Sequence, residues 1–179
     1  RGVAALSPSR RVEILPYTVA RMTREPGNTE NPFYAPNRMA GAVGADVRVG
    51  LGPALTLSAT LNPDFGQVEA DPAVVNLTAF ETFQEERRPF FVEGSDMFQA
   101  SWQMGMPFFY SRRIGRTPQL DVPGEAAWAD APSATTILGA VKLTGRTESG
   151  WSLGVLDAVT PRERAPFVTA AGSRDRATV

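Results

Sequence analysis

The 179-residue sequence contains neither cysteine nor histidine. Their absence excludes disulfides, thiol nucleophiles, Cys/His zinc sites and a Ser-His-Asp triad. There is also no excess of charge of one sign, since 18 Lys and Arg nearly balance 19 Asp and Glu. A nucleic-acid-binding protein normally carries a basic excess, so nucleic acid is not an expected partner. Chemistry is left to carboxylates, hydroxyls, arginines and the single lysine, Lys142.

The sequence also lacks a run of apolar residues long enough for a transmembrane helix, which needs about 18. A hydrophobic content of 42% and a charged content of 21% are typical of a folded domain. The 16 glycines and 15 prolines favour turns and short strands over long helices. Because the sequence begins at Arg1 without a leader and ends in a polar stretch, we expect it to be an internal part of a longer chain.

The clearest pattern is the alternation of aliphatic with small or polar residues over 42–62. It predicts two strands that each have one apolar face. Because opposed residues of a hairpin must lie on the same face, the loop must be three residues long, Gly52 to Ala54. The opposed pairs in this register are Leu51 with Leu55, Val49 with Leu57, and Val47 with Ala59.

Other segments carry weaker signals. Asp71 followed by Pro72 is typical of a helix start, and an apolar stripe that includes Leu77 and Phe80 predicts one helix over 72–85. Before the first hairpin, we predict a strand at 11–20 with a break or bulge at Leu15–Pro16 and a loop at 21–40. After the helix, we predict short strands at 88–92 and 108–114 and a loop at 117–133. A second hairpin is predicted at 135–160, with an odd-numbered loop near 146–150, and a further strand beginning at 167–170.

The two hairpins have one aliphatic face and one face of small or polar residues with single charges at Asp46, Arg48 and Lys142. A half-buried sheet of a soluble protein and the wall of an outer-membrane barrel both give this pattern. The alternation by itself leaves both interpretations open.

The centre of the chain is strongly acidic, with eight acids against two bases over 64–96. One interpretation is a structural ion network in which arginines neutralise carboxylates. Its predicted members are Glu81, Glu85, Glu86, Arg87, Arg88, Glu93, Arg112, Arg113 and Arg116.

Two further interpretations of the acids remain. Asp64, Glu69 and Asp71 are candidate oxygen ligands for a cation such as Ca²⁺, although their spacing matches no standard calcium loop. A pair of carboxylates within 64–96 is the alternative basis for glycoside hydrolysis. Aromatic residues between Phe90 and Tyr110 would suit sugar binding, a protein core or the interfacial girdle of a barrel.

Three stretches carry a resemblance to a known family: NPDFGQVEADPAVVNLTAFETFQEERRPFFVEGSDMF at 62–98, FFYSRRIGR at 108–116 and LGAVKLTGRTESGWSLGVLDAV at 138–159. They resemble a bacterial envelope family of uncharacterised function. Its members usually carry an N-terminal carbohydrate-binding domain similar to family 9, followed by a region that resembles an outer-membrane β-barrel. The similarity runs from about Leu15 to about Val159, within the barrel-like region.

The resemblance implies a secreted precursor, a location in the outer membrane of a Gram-negative-type bacterium and a link to carbohydrate binding or transport. It implies no catalytic residues, so we expect this segment to be non-enzymatic and to need no cofactor. We predict an all-β fold, mainly antiparallel hairpins of a partial barrel, with one short α-helix near 72–85. Its parts would be the first strands (11–62), an acidic and arginine-rich insert (63–133) and a further hairpin (134–179). The expected partners are membrane lipid on the aliphatic faces and an oligo- or polysaccharide; a soluble β-domain with a structural cation is a further alternative.

Overall fold

The computed structural model describes residues 11–24, 26–27, 29–63, 85–99 and 108–179. These residues form two antiparallel sheets, one short helix and two 3₁₀ turns, which confirms the predicted fold class. The elements are β1 (Val12–Arg24), β2 (Asn37–Leu51), β3 (Leu55–Leu61), α1 (Pro89–Val92), β4 (Ala126–Ala129), β5 (Gly139–Arg146), β6 (Ser152–Val159), β7 (Arg164–Thr169) and β8 (Arg174–Thr178), with 3₁₀ turns at Ser95–Phe98 and Ser111–Arg113.

The larger sheet has the strand order β1-β2-β3-β5-β6. Its β2–β3 hairpin has the predicted register, with Leu51 paired to Leu55 across a three-residue loop. Gly52 begins this loop at a φ of 73°, a left-handed conformation that glycine adopts without steric cost. The β5–β6 hairpin has the predicted odd-numbered connection, which is five residues long and lies one residue beyond the predicted 146–150, since Arg146 pairs with Ser152. Pairing of β3 with β5 joins the two hairpins into one sheet.

The first strand corrects two predictions. β1 runs without a bulge through Leu15 and Pro16. The amide of Gly50 donates to the carbonyl of Arg11, and hydrogen-bonded pairs alternate along an antiparallel ladder, so Pro16 occupies a non-hydrogen-bonded pair. Its missing N–H therefore costs the β1–β2 ladder nothing. The predicted loop at 21–40 was also too long, because β1 continues to Arg24 and β2 begins at Asn37.

The smaller sheet has the order β4-β7-β8. β7 contains the buried residues Ala165, Phe167 and Val168, and it covers most of the strand predicted to begin at 167. β4 lies within 117–133, which was predicted to be a loop. Three of its four residues gain ladder partners only through long-range pairing with β7, which local sequence does not reveal.

Two predicted strands are helical turns instead. Residues 89–92 form α1, because Pro89 fits the first turn of a helix and cannot donate to a sheet ladder. In the stretch 108–114, Ser111–Arg113 form a 3₁₀ turn, and the carbonyls of Ser111 and Ile114 accept hydrogen bonds from Arg88 rather than from a neighbouring strand. The helix predicted over 72–85 falls almost entirely outside the described residues. Among the residues that are described, no helix is long and apolar enough to cross a membrane.

The two faces of the larger sheet have an inverted distribution of polarity. The face that contains Val43, Leu61 and Val155 is exposed, and Val43 retains 69% of its accessible surface. The opposite face contains buried polar residues, among them Ser58, Thr60 and Lys142. This polar face is covered in part by residues 85–99, here called the covering segment. The polar face is thus covered only in part, since Asp46 and Arg48 on it remain exposed. The aliphatic face is exposed at its periphery and carries one acid, Asp157, which is paired with Val141.

Candidate functional site

The single lysine lies at the centre of the contact between the sheet and the covering segment. Lys142 extends from the polar face of β5 and only 1% of it is exposed. Its Nζ donates to the backbone carbonyls of Phe90 and Glu93, and it lies 4.9 Å from the centre of the Phe90 ring. A buried ammonium is costly without such partners. The covering segment thus supplies carbonyl oxygens and an aromatic face to a cation of the sheet.

A second cation, Arg48, joins the same segment to the same face. Arg48 forms an ion pair with Glu93, and its other terminal nitrogen lies 3.3 Å from a carboxylate oxygen of Glu13 on β1. Glu13, Arg48 and Lys142 lie in one row, because Glu13 is paired with Arg48, Arg48 with Ser58, and Ser58 with Lys142. Two cations, from the strands on either side of β3, therefore hold one short stretch of the covering segment.

Arg88 organises the other end of the covering segment. Only 3% of this residue is exposed, and its guanidinium makes two hydrogen bonds to Glu86, of 2.8 and 2.7 Å. It also donates to the carbonyls of Ser111 and Ile114, and it lies over the Phe91 ring at 4.3 Å from its centre. Such bidentate, charge-assisted contacts are among the strongest hydrogen bonds in proteins. This cluster, here called the Arg88 knot, joins residues 86–91 to residues 111–114.

The carboxylate of Glu86 is held in its ionised form. Burial raises its pKa, but hydrogen bonds from the Arg88 side chain, Ser111 and the Arg88 amide, together with the charge of Arg88, lower it by more. The net effect is a pKa below the usual value. A general acid needs a raised pKa, so Glu86 is poorly suited to protonate a leaving group.

We expect the stability that Glu86 provides to be lost in acid. With a folded-state pKa below the unfolded one, its contribution is fully present above about pH 4.3, the usual glutamate value, and declines as pH falls through the lower folded value. Glu86→Gln should therefore flatten the acid decline in the free energy of unfolding. Urea titrations at a series of pH values would measure this. Glu148→Gln, in an exposed loop, should keep the wild-type decline; an unchanged decline in Glu86→Gln would contradict the prediction.

The predicted ion-network residues are divided among several places. Glu86 and Arg88 meet in the Arg88 knot, and Glu93 lies with Arg48 and Lys142. Arg112 donates to the backbone carbonyl of Glu85 at 3.0 Å. Arg87 is exposed, and Arg113 and Arg116 line a cavity of about 840 Å³ near β6. Glu81 lies outside the described residues.

The candidate cation ligands Asp64, Glu69 and Asp71 also lie outside the described residues. Within the described part of the chain, no group of three or more acids is arranged to hold a metal ion. A smaller cavity of about 230 Å³ lies between the sheet and the covering segment. Its charged lining residues are Glu13, Asp46, Arg48 and Glu93.

Sequence reasoning did not place four residues in this site: Glu13, Arg48, Ser111 and Lys142. Arg48 and Lys142 could have been predicted as site residues, since each is a single charge among the small and polar residues on one face of a strand. The aromatic and carbonyl partners of Lys142 are about 50 residues away in sequence, so only the tertiary structure could supply them.

Comparison with known proteins gives one family. The family described as "Domain of unknown function (DUF5916)" matches residues 8–179. Neither the curated proteins nor the solved structures give a match.

Proposed function

We propose that this chain, which belongs to the DUF5916 family of unknown function, forms part of the wall of an outer-membrane β-barrel and part of the plug inside its lumen. The observation that carries this proposal is the exposed aliphatic face opposite a partly covered polar face. A sheet in a water-soluble protein buries its apolar side and exposes its polar side. A barrel wall does the reverse, because lipid surrounds it and its lumen is polar.

The aliphatic face has apolar residues on all five strands, partly exposed in the middle and exposed at the two edge strands, with one acid, Asp157, on β6. Register places Val12, Val49, Leu57, Leu143 and Val155 in one row over all five strands. A contiguous apolar patch of this kind marks a contact with a membrane or another protein. Lipid hydrocarbon is the partner that fits such a patch, because it makes apolar contacts and offers no polar groups that the protein would have to bind.

The two longest strands and one end residue are consistent with a membrane wall, whereas β3, β5 and β6 have only 7, 8 and 8 residues. β1 and β2 have 13 and 15 residues, and a tilted membrane strand needs about 9–11. Trp151 lies next to β6 at the hairpin end of the sheet and is 75% exposed. Aromatic residues at strand ends are typical of the interface between lipid and water.

The sheet requires further strands to close. In the part of the chain that the structure describes, β1 and β6 each pair along one side only, and five strands are fewer than the eight of the smallest membrane barrels. Unpaired strand edges are unfavourable in a hydrocarbon environment. We therefore propose that this chain contributes one section of a larger barrel.

We propose a non-enzymatic role in carbohydrate binding or transport at the outer membrane of a Gram-negative-type bacterium. The link to carbohydrate rests on the family resemblance alone, which implies a carbohydrate-binding domain before the barrel-like region. The glycosidase alternative has less support, because Glu86 and Glu93, two of the described acids of the central region, both pair with arginines. The alternative of a soluble domain leaves the exposed aliphatic face without an explanation.

The proposal is tested with the full-length protein expressed with its own leader. After envelope fractionation, we expect the protein in the outer membrane, and we expect its unboiled form to migrate differently from its boiled form on a gel. Such a heat shift is the behaviour of a closed barrel that resists detergent until heated. A soluble periplasmic protein without a heat shift would overturn the proposal, and sugar-hydrolysis assays and melting curves with a chelator would then test the two alternatives.

A further inference from the structure

The covering segment is attached to the strands of the larger sheet at few places. Lys142 binds the carbonyls of Phe90 and Glu93, and Arg48 binds the Glu93 carboxylate. These three residues, Arg48, Glu93 and Lys142, are here called the latch. Arg48 and Lys142 belong to the sheet and Glu93 to the covering segment, so the latch joins two separate parts of the fold.

Small residues let the segment approach the strands closely beside the latch. A Cβ atom built on Gly94 would lie 3.5 Å from the Cβ of Thr144 on β5. On β6, a Cβ atom built on Gly154 would lie 3.2 Å from the ring of Phe98. The covering segment therefore contacts β5 and β6 closely beside the latch.

The Arg88 knot differs from the latch in what it connects. It ties the covering segment to residues 111–114, which belong to neither sheet. Breaking the latch would remove the charged attachments of the covering segment to the wall and leave close contacts such as that of Phe98 with Gly154, while the knot keeps its other end folded. A segment that stays folded at one end and is held to the wall by a few charged contacts at the other can move as a hinged element.

We propose that Arg48, Glu93 and Lys142 form a gate latch that holds the covering segment across the lumen, and that its release opens a path for ions and small polar solutes. This inference rests on the proposed function, since a gate needs a lumen. The path would begin at the 230 Å³ cavity between the sheet and the covering segment, where Arg48 and Glu93 already form part of the lining.

The test is the conductance of the full-length protein in planar phosphatidylcholine bilayers with KCl as the only salt. Lys142→Met removes the charge and keeps most of the side-chain length. We expect mean conductance to rise about tenfold, the shift that loss of one charged hydrogen-bonding group gives a two-state equilibrium. Arg146→Met, on the same strand and the same face but exposed and outside the latch, should keep wild-type conductance.

A second variant and a crosslink test the latch even if Lys142→Met does not fold. Glu93→Gln breaks the ion pair with Arg48 and leaves both carbonyls available to Lys142, so we expect a smaller rise in conductance. The pair Gly94→Cys and Thr144→Cys has a Cβ separation of 3.5 Å, which is within the range of a disulfide. Because Gly94 has a φ of 65°, a side chain there is strained, so the oxidised and reduced forms of the same variant are compared and Gly94→Ala in Glu93→Gln serves as the control for that strain. Residues 1–179 contain no cysteine, and any cysteine elsewhere would be replaced by serine. Oxidation should fix the segment and return conductance of Glu93→Gln to the wild-type level, and reduction should restore the rise.

The outcomes separate the two proposals. A heat shift in the variants with conductance unchanged from wild type would overturn the gate latch alone. A conductance that rises but does not respond to oxidation of the cysteine pair would also overturn it, because the path would then lie elsewhere. A wild-type protein without heat shift would overturn the barrel and, with it, the latch.

Discussion

Arg88→Met is expected to lower the free energy of unfolding by about 3–5 kcal/mol, the usual cost of removing one partner of a buried ion pair. The guanidinium it removes binds the carboxylate of Glu86 and the carbonyls of Ser111 and Ile114. Methionine has a similar length but no donors, so these acceptors lose hydrogen bonds and Glu86 keeps an uncompensated charge. Urea unfolding of the detergent-solubilised protein, followed by tryptophan fluorescence, would measure the loss.

Arg87→Met is the matched control for this prediction. It removes the same charge one residue earlier, at an exposed side chain, and should change the free energy of unfolding by about 0.5 kcal/mol or less. The double variant Glu86→Gln with Arg88→Met should lose less than the sum of the two single variants, because the lone buried charge is gone. Equal losses at positions 87 and 88 would show that the Arg88 knot is not a stabilising element.

Ile14→Arg is expected to destabilise the folded protein in a lipid bilayer, whereas Leu15→Arg is not. The two residues are neighbours on β1 and almost equally exposed, at 66% and 65%, but they lie on opposite faces of the sheet. Ile14 lies on the aliphatic face, where an arginine in lipid costs up to about 2–4 kcal/mol near the bilayer midplane and less near its surfaces. Leu15 lies on the polar face opposite Asp46, which an arginine could pair with.

The measurement is reversible unfolding in lipid vesicles with urea, compared for the two variants. Val43→Arg, near the middle of β2 on the aliphatic face, should show the larger cost of a deeper position. In water an exposed isoleucine and an exposed leucine would tolerate arginine equally, within about 0.5 kcal/mol. Equal effects of Ile14→Arg and Leu15→Arg would therefore contradict a lipid-facing surface and favour a soluble sheet.

Local patterns predicted the hairpins well. In the β2–β3 hairpin, the alternation of aliphatic and polar residues left only one loop length that kept Leu51 and Leu55 on one face, and that register is the one found. The predictions were wrong where a local signal competed with tertiary pairing. Residues 21–24 and 37–40 contain charges and resemble a loop, yet they extend β1 and β2 because each supplies the ladder partners of the other.

The sequence by itself determined the two alternating hairpins, the register of the first and the lone charges on their small and polar face, because side-chain alternation in a strand is a local property. Only the tertiary structure decided which face is covered, how β3 pairs with β5, and which groups neutralise the buried cations. The carbonyls bound to Lys142 and the Ser111 hydroxyl bound to Glu86 come from segments far along the chain. Burial depends on such distant contacts, so no local pattern could show that the polar side of this sheet is the one that is partly covered.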